Sequence, residues 1–191
     1  LGLITVVCVL LITVYLVISG VPAIAKIGLF QFLFGTKWAS TASEPSFGIL
    51  PFIMTSIYGT GGAILLGVPV GFFTSVYLAK IASPKVRGVI ETAVSLLAGI
   101  PSVVYGFFGL MIIVPWVRDT FRPYYGGNGL SLFSAALLLG IMILPTIISI
   151  SESAIRSVPD KYYQGALALG ATHERSVFRT VVPAAKSGIM A

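Results

Sequence analysis

Few side chains in this sequence are placed for chemistry. Ser102 and Tyr105 put hydroxyls beside Pro101 inside an apolar run. Hydroxyls there can donate hydrogen bonds to a passing anion, although packing is their simpler role. His173 is the single histidine and reads as a solvated loop residue, so no zinc site can be assembled around it. Cys8 is the single cysteine, which excludes an internal disulfide and reads as a small packing residue. A phosphate-cradling Gly-x4-Gly-Lys-Ser/Thr loop does not occur, nor does a His-Glu-x-x-His metal motif. We therefore expect no catalytic residues, no metal and no cofactor on this chain, and no enzyme activity. The other unusual group is mechanical. Gln164, Gly165, Ala166, Ala168 and Gly170 form a run of small residues in a polar stretch, followed by Val182-Pro183. Small side chains in a loop between apolar segments suit the close approach of another surface.

These residues need elements to hold them, and composition dictates which. Only 9% of the 191 residues are charged, and mean hydropathy is +1.01. A soluble domain carries about 25% charged residues, so the expected solvent is lipid. Residues 1–25, 45–79, 92–117 and 123–151 contain no charged side chain. Each is long enough for a membrane helix, which needs about 20 apolar residues, and none alternates as a barrel strand would. The predicted fold is an all-α, polytopic transmembrane helical bundle.

The net charge of +6 is unevenly spread. Lys80, Lys85 and Arg87 share one connection, and Arg156, Lys161, Arg175, Arg179 and Lys186 share the last polar stretch. The other connections hold only Lys26, Lys37, Arg118 and Arg122. The positive-inside rule makes the rich loops cytoplasmic. It places the Leu1 end inside, and loops 21–47 and 118–129 outside. This pattern favours a bilayer over nucleic acid as the partner of the positive charge. Tyr15, Trp38, Tyr77, Trp116, Tyr124 and Tyr125 fall near predicted span ends, where amphipathic rings favour the interface.

Span one is predicted at 3–18, ended by Gly20 and Pro22, and is too long and too poor in basic flanks for a signal peptide. An aromatic outer loop follows at 31–38, then a polar turn at 43–46. Span two lies within 47–81, and its many glycines should let helix backbones approach closely. A turn is predicted at Ser83-Pro84-Lys85. Span three is predicted at 90–114. Pro101 there frees a carbonyl one turn earlier, and broken backbone at membrane depth must be satisfied by protein or a water-filled cavity. Pro101, Ser102 and Tyr105 are thus candidate pathway-lining residues. A flexible turn at 126–129 leads to span four at 130–150. Ser157 is predicted to cap a helix beginning near Pro159 and Asp160, Gly170 to stop it, and Thr172 to cap the next. Glu91 and Glu152 are placed to pair with Arg87 and Arg156, and Arg118, Asp119 and Arg122 to face outward. The chain begins without Met in apolar sequence and closes where a further span begins, so it reads as a fragment truncated at both ends.

The loop with Ala166, Gly170, Val182 and Pro183 at these spacings resembles the "EAA" loop of binding-protein-dependent ABC importer permeases. Gln164, Gly165 and Thr180 depart from the pattern, which calls there for a glutamate, an alanine and an aliphatic residue. Ser46-Phe47-Gly48-Ile49-Leu50-Pro51, the stretch 97–110 around Gly99-Ile100-Pro101-Ser102, and Ile143-Leu144-Pro145-Thr146 look like the phosphate-specific permeases, their C-type subunit in particular. The resemblance implies a type I (MetI-like) permease fold. It implies a first transmembrane helix at 1–20, an incomplete permease domain at 48–191 and an ATPase-coupling loop at 157–183. It further implies a cell-membrane subunit of an ATP-driven phosphate importer. Its partners would be a second, A-type permease subunit, an ATPase dimer carrying ATP and magnesium, and an extracytoplasmic phosphate-binding protein. The remaining alternatives are a permease for another oxyanion or an amino acid, and a channel or scaffold independent of any ATPase.

Overall fold

The computed structural model describes residues 2–190. The expectations for the Leu1 end and for the Tyr125 ring fall outside the described residues and side chains. The chain divides into two compact units, Leu1–Ile57 and Tyr58–Ala191.

The first unit is led by α1, Gly2–Ile27, which has no buried residue. The helix does not end at Gly20 and Pro22 as expected. It runs across Pro22 and stops at Gly28, whose φ is +90° and whose N–H reaches the carbonyl of Ile24 at 2.9 Å. In an apolar solvent, crossing a proline forfeits one backbone hydrogen bond, whereas leaving the helix forfeits several. Cys8 is exposed on α1. The aromatic stretch at 31–38 divides into a short helix, α2 (Leu29–Phe34), and the start of a hairpin. Strands β1 (Trp38–Ala39) and β2 (Ser46–Phe47) pair antiparallel, with Trp38 opposite Phe47. Ser46 thus leaves the predicted polar turn for a strand, and its hydroxyl donates to the Lys37 carbonyl at 3.0 Å. The Trp38 ring meets Phe47 and Phe52 edge-on at 5.6 and 5.5 Å between centroids.

Helix α3, Leu50–Lys80, gives its first turns to the first unit and the rest to the second. Gly59, Ala63, Gly67 and Gly71 recur every fourth residue and are all buried. They face α7, Leu132–Arg156. A Cβ at Gly62 would lie 2.8 Å from the Ala136 Cβ, and one at Gly71 would lie 2.7 Å from Ile147 Cγ2. The glycines bring the two backbones together, as the sequence led us to expect. Pro84 is not the middle of a turn. It is the first residue of α4, Pro84–Ala98, where its missing N–H costs nothing.

The third apolar segment is broken. α4 carries residues 84–98, and the long apolar helix begins only at Ser102. It comprises α5 (Ser102–Phe108), a π-helical turn (Gly109–Ile113) and α6 (Val114–Tyr125). Val94 packs with Ile148 and Leu144, and Gly109 lies against Leu138. The Pro101 break therefore falls midway along α7. The connection from α6 to α7 carries positive φ at Gly126, Gly127 and Gly129, and Ser131 caps α7 by accepting from the Ser134 N–H. Tyr15, Trp38, Tyr77, Trp116 and Tyr124 are all exposed on the chain surface.

The last stretch folds as α8 (Asp160–Ala168), α9 (His173–Ser176), a π-helical turn (Val177–Val181), α10 (Val182–Ala184) and α11 (Lys186–Ile189). Ser157 does not cap α8. It closes α7, its hydroxyl donating to the Ala154 carbonyl at 2.8 Å. Pro159 disfavours helical backbone at Val158, so α8 cannot begin until Pro159 has been passed. Buried Val158 joins Val76, Ala79, Ile155, Val177, Val181 and Ala185 in a core that gathers α3, α7 and the last stretch.

Candidate functional site

The small-residue run from Gln164 to Ala168 falls in helix α8, with Gly170 just beyond its end. Gln164, Gly165 and Ala168 are exposed, while Tyr163 and Ala166, one turn apart, are partly buried. A Cβ built on Gly165 would meet nothing within 4 Å. One face of the helix thus rests on the core, and the opposite face sets the open position at Gly165 and the small Ala168 among the exposed Lys161 and Gln164. Gly170 stops α8 as predicted, at φ +82°. Its N–H reaches the Leu167 carbonyl at 2.9 Å and the Ala171 N–H reaches the Ala166 carbonyl at 3.1 Å. This is the paired C-terminal bonding that a left-handed glycine permits. Thr172 then caps α9 by accepting from the Arg175 N–H. Pro183 lies apart from this face, in α10, where it lines a cleft with Phe72, Val182, Lys186 and Ile189.

Two ties escaped sequence reasoning. The Lys80 ammonium at the end of α3 lies 3.3 Å from Asp160 Oδ1 in the first turn of α8. It also lies 5.7 Å from the Tyr163 ring centroid. The Tyr163 hydroxyl is 2.6 Å from His173 Nδ1, the donor being set by the histidine tautomer. His173 is therefore bonded, where the sequence suggested only solvation. No local pattern relates Lys80 to a residue 80 positions later, so only the fold reveals the pair.

The glutamates find partners unequally. Arg156 reaches Glu91 at 3.3 Å and Glu152 at 3.1 Å, joining α4 to α7. Arg87 takes neither, and its Nε donates to the Leu78 carbonyl at 2.9 Å. That carbonyl lies in the last turn of α3, where helix carbonyls lack partners of their own. Arg118 pairs with its neighbour Asp119 at 2.9 Å. The two Lys/Arg-rich connections, remote in sequence, thus meet at one end of the second unit.

At the Pro101 break the freed carbonyl is that of Leu97. It accepts from the Tyr105 hydroxyl at 2.9 Å and from the Ile100 N–H at 3.1 Å. Protein donors thus satisfy the freed carbonyl. Tyr105 is buried and its single proton is committed, whereas Pro101 and Ser102 are exposed. Tyr105→Phe removes one of two donors to this carbonyl. We expect a loss of about 1 kcal/mol, read as a lower unfolding midpoint in detergent with the helical content unchanged.

Among the described residues, four helices are long and apolar enough to cross a bilayer, as expected of a multi-pass membrane protein, and an exposed short helix lies beside the basic end of α3. The comparisons make the class specific. The profile of the binding-protein-dependent transport system inner membrane component family matches residues 67–191, and the chain belongs to that family. It is 38% identical over 181 residues to the probable ABC transporter permease protein YqgH of Bacillus subtilis, covering 94% of this chain and 58% of that protein. It is 33% identical over 177 residues to the phosphate transport system permease protein PstC of Mesorhizobium japonicum, covering 84% of this chain and 54% of that protein. It is 31% identical over 195 residues to the Haemophilus influenzae protein of the same name, covering 94% and 61%. The chain therefore spans little more than half the length of these relatives.

Proposed function

We propose that this chain forms half of the translocation pathway of an ATP-driven inorganic phosphate importer and takes its force from a separate ATPase. The observation that carries the reading is α8: a short exposed helix with an open position at Gly165, seated on a core that gathers α3, α7 and the last stretch. A surface of this shape admits a groove closing round it, and the core beneath links it to the spans. The coupling loop at 157–183 contributes Gln164, Gly165, Ala166, Ala168 and Gly170 to the docking surface, and Pro183 begins the return to the membrane. In this reading the permease domain covers 48–191. Its basic end, and the Leu1 end, face the cytoplasm by the positive-inside rule.

Phosphate is supported by the relatives, two of which are described as phosphate transport permeases. Pro101 and Ser102 would line the path at the break in the third segment, with Tyr105 holding the break in shape. A second, A-type permease subunit would supply the other half of the path, an extracytoplasmic binding protein would deliver the anion, and magnesium and ATP would sit on the ATPase dimer. ATP-dependent rearrangement then follows if the ATPase contacts on α8 differ between its two states.

The test uses the full-length protein assembled with these partners in proteoliposomes. Phosphate together with its binding protein should stimulate ATP hydrolysis, and molybdate should not. Stimulation by molybdate alone overturns the choice of solute. Solute flux through the permease pair without the ATPase overturns the coupling itself.

A further inference from the structure

We infer that Lys80 is a positioning residue that fixes the coupling helix α8 to α3, so that force applied to α8 reaches that span directly. The inference rests on the coupling role proposed above. By covalent connection α8 is joined only to α7, through 157–159, and to α9, through 169–172. It has no buried residue of its own. Its hold on the rest of the unit comes from its packing on the turn Val177–Val181, from Tyr163, which packs against the core, and from Lys80, which ties it to α3. The Lys80 side chain is only 14% exposed. Its ammonium meets the Asp160 carboxylate at 3.3 Å and faces the Tyr163 ring at 5.7 Å, while the Tyr163 hydroxyl bonds His173 at 2.6 Å. One cation thus gathers the first turn of α8, its aromatic anchor and, through that anchor, α9.

Helix electrostatics favour this placement. Lys80 stands in the last turn of α3 and Asp160 in the first turn of α8. Each charge complements the dipole of its own helix before the pair forms. Asp160 is 76% exposed, and such pairs add little to stability. What the contact supplies is geometry. Without it α8 keeps its core packing but loses its charged tie to α3, and motion imposed by a docked ATPase reaches the glycine-lined face of that span less directly. With it, α3 and α7 move together.

The experiment measures ATP hydrolysed per phosphate taken up in the full assembled complex, for Lys80→Glu, Asp160→Lys and the swapped pair. Each single variant should raise that ratio about 5-fold, and the swap should return it to within about 2-fold of the parent, as expected for an energetic link of ordinary size. Parental ratios in both singles overturn the inference, as does a swap that assembles without recovering. Where a charge reversal prevents assembly, Lys80→Met, which keeps the stem over Tyr163, must show the raised ratio with an unchanged unfolding midpoint. A parental ratio in that variant also overturns the inference. Failure of the underlying reading looks different: the parental complex then holds no ATPase at all.

Discussion

Gly165→Trp is expected to release the ATPase and abolish ATP-driven uptake while the chain inserts and folds as before. Gly165 lies in α8 without a positive φ, and a Cβ added there would meet no atom within 4 Å. Tryptophan is a better helix former than glycine by about 0.4 kcal/mol, so the backbone gains slightly. The only cost falls on a partner that must close over the helix. Filling the centre of a packed interface with an indole should weaken docking by about 3 kcal/mol, roughly a hundredfold. Co-purification of the ATPase and phosphate uptake both read this. Gly165→Ala, which matches the small residues around it, should stay near the parent. Gly170→Trp is a poorer probe. Gly170 sits at φ +82°, where any side chain strains the backbone, so a loss there mixes a damaged helix end with a blocked surface. Uptake and co-purification at parental levels in Gly165→Trp would show that α8 is not the docking element.

What could be read from the sequence follows the range of each signal. Long uncharged runs report lipid directly, so the helices α1, α3 and α7 were legible, as was the stop at Gly170 and the cap at Thr172. Boundaries set by competition were not. Gly20 and Pro22 carry strong stop signals in water, but a lipid solvent lets α1 run on to Gly28. Ser157 has the right side chain for an N-cap, yet Pro159 delays α8 and leaves Ser157 to close α7. The proline at 101 announced a break in the third segment. It did not announce that Tyr105, four residues on, would return a donor to Leu97. Pairings across the fold carried no signal at all. Lys80 with Asp160 and Tyr163 with His173 depend on which helix ends meet, and only the packed core at Val76, Ile155 and Val177 decides that.

The same core makes α3 the span whose seating matters most, and Gly67→Leu should unseat it. A Cβ at Gly67 would lie 2.9 Å from Ile143 Cδ1 and 3.0 Å from both Ile143 Cγ1 and the Gly140 carbonyl oxygen. The isoleucine can turn away, but the Gly140 carbonyl is backbone and cannot move without shifting α7. Overpacking a filled site costs about 1–3 kcal/mol, and a backbone contact puts this one at the upper end, about 3 kcal/mol. We expect a lower unfolding midpoint in detergent and loss of uptake even where the ATPase still binds. Gly61→Leu is the matched control, because Gly61 is exposed and a Cβ there meets nothing within 4 Å. It should change stability by no more than about 0.5 kcal/mol. Adding Ile143→Ala to Gly67→Leu removes two of the three close contacts and leaves the Gly140 carbonyl in place. The double variant should therefore recover part of the loss and stop short of the parent. Equal stability of Gly67→Leu and Gly61→Leu would mean that the close approach of α3 to α7 is not what holds this face together.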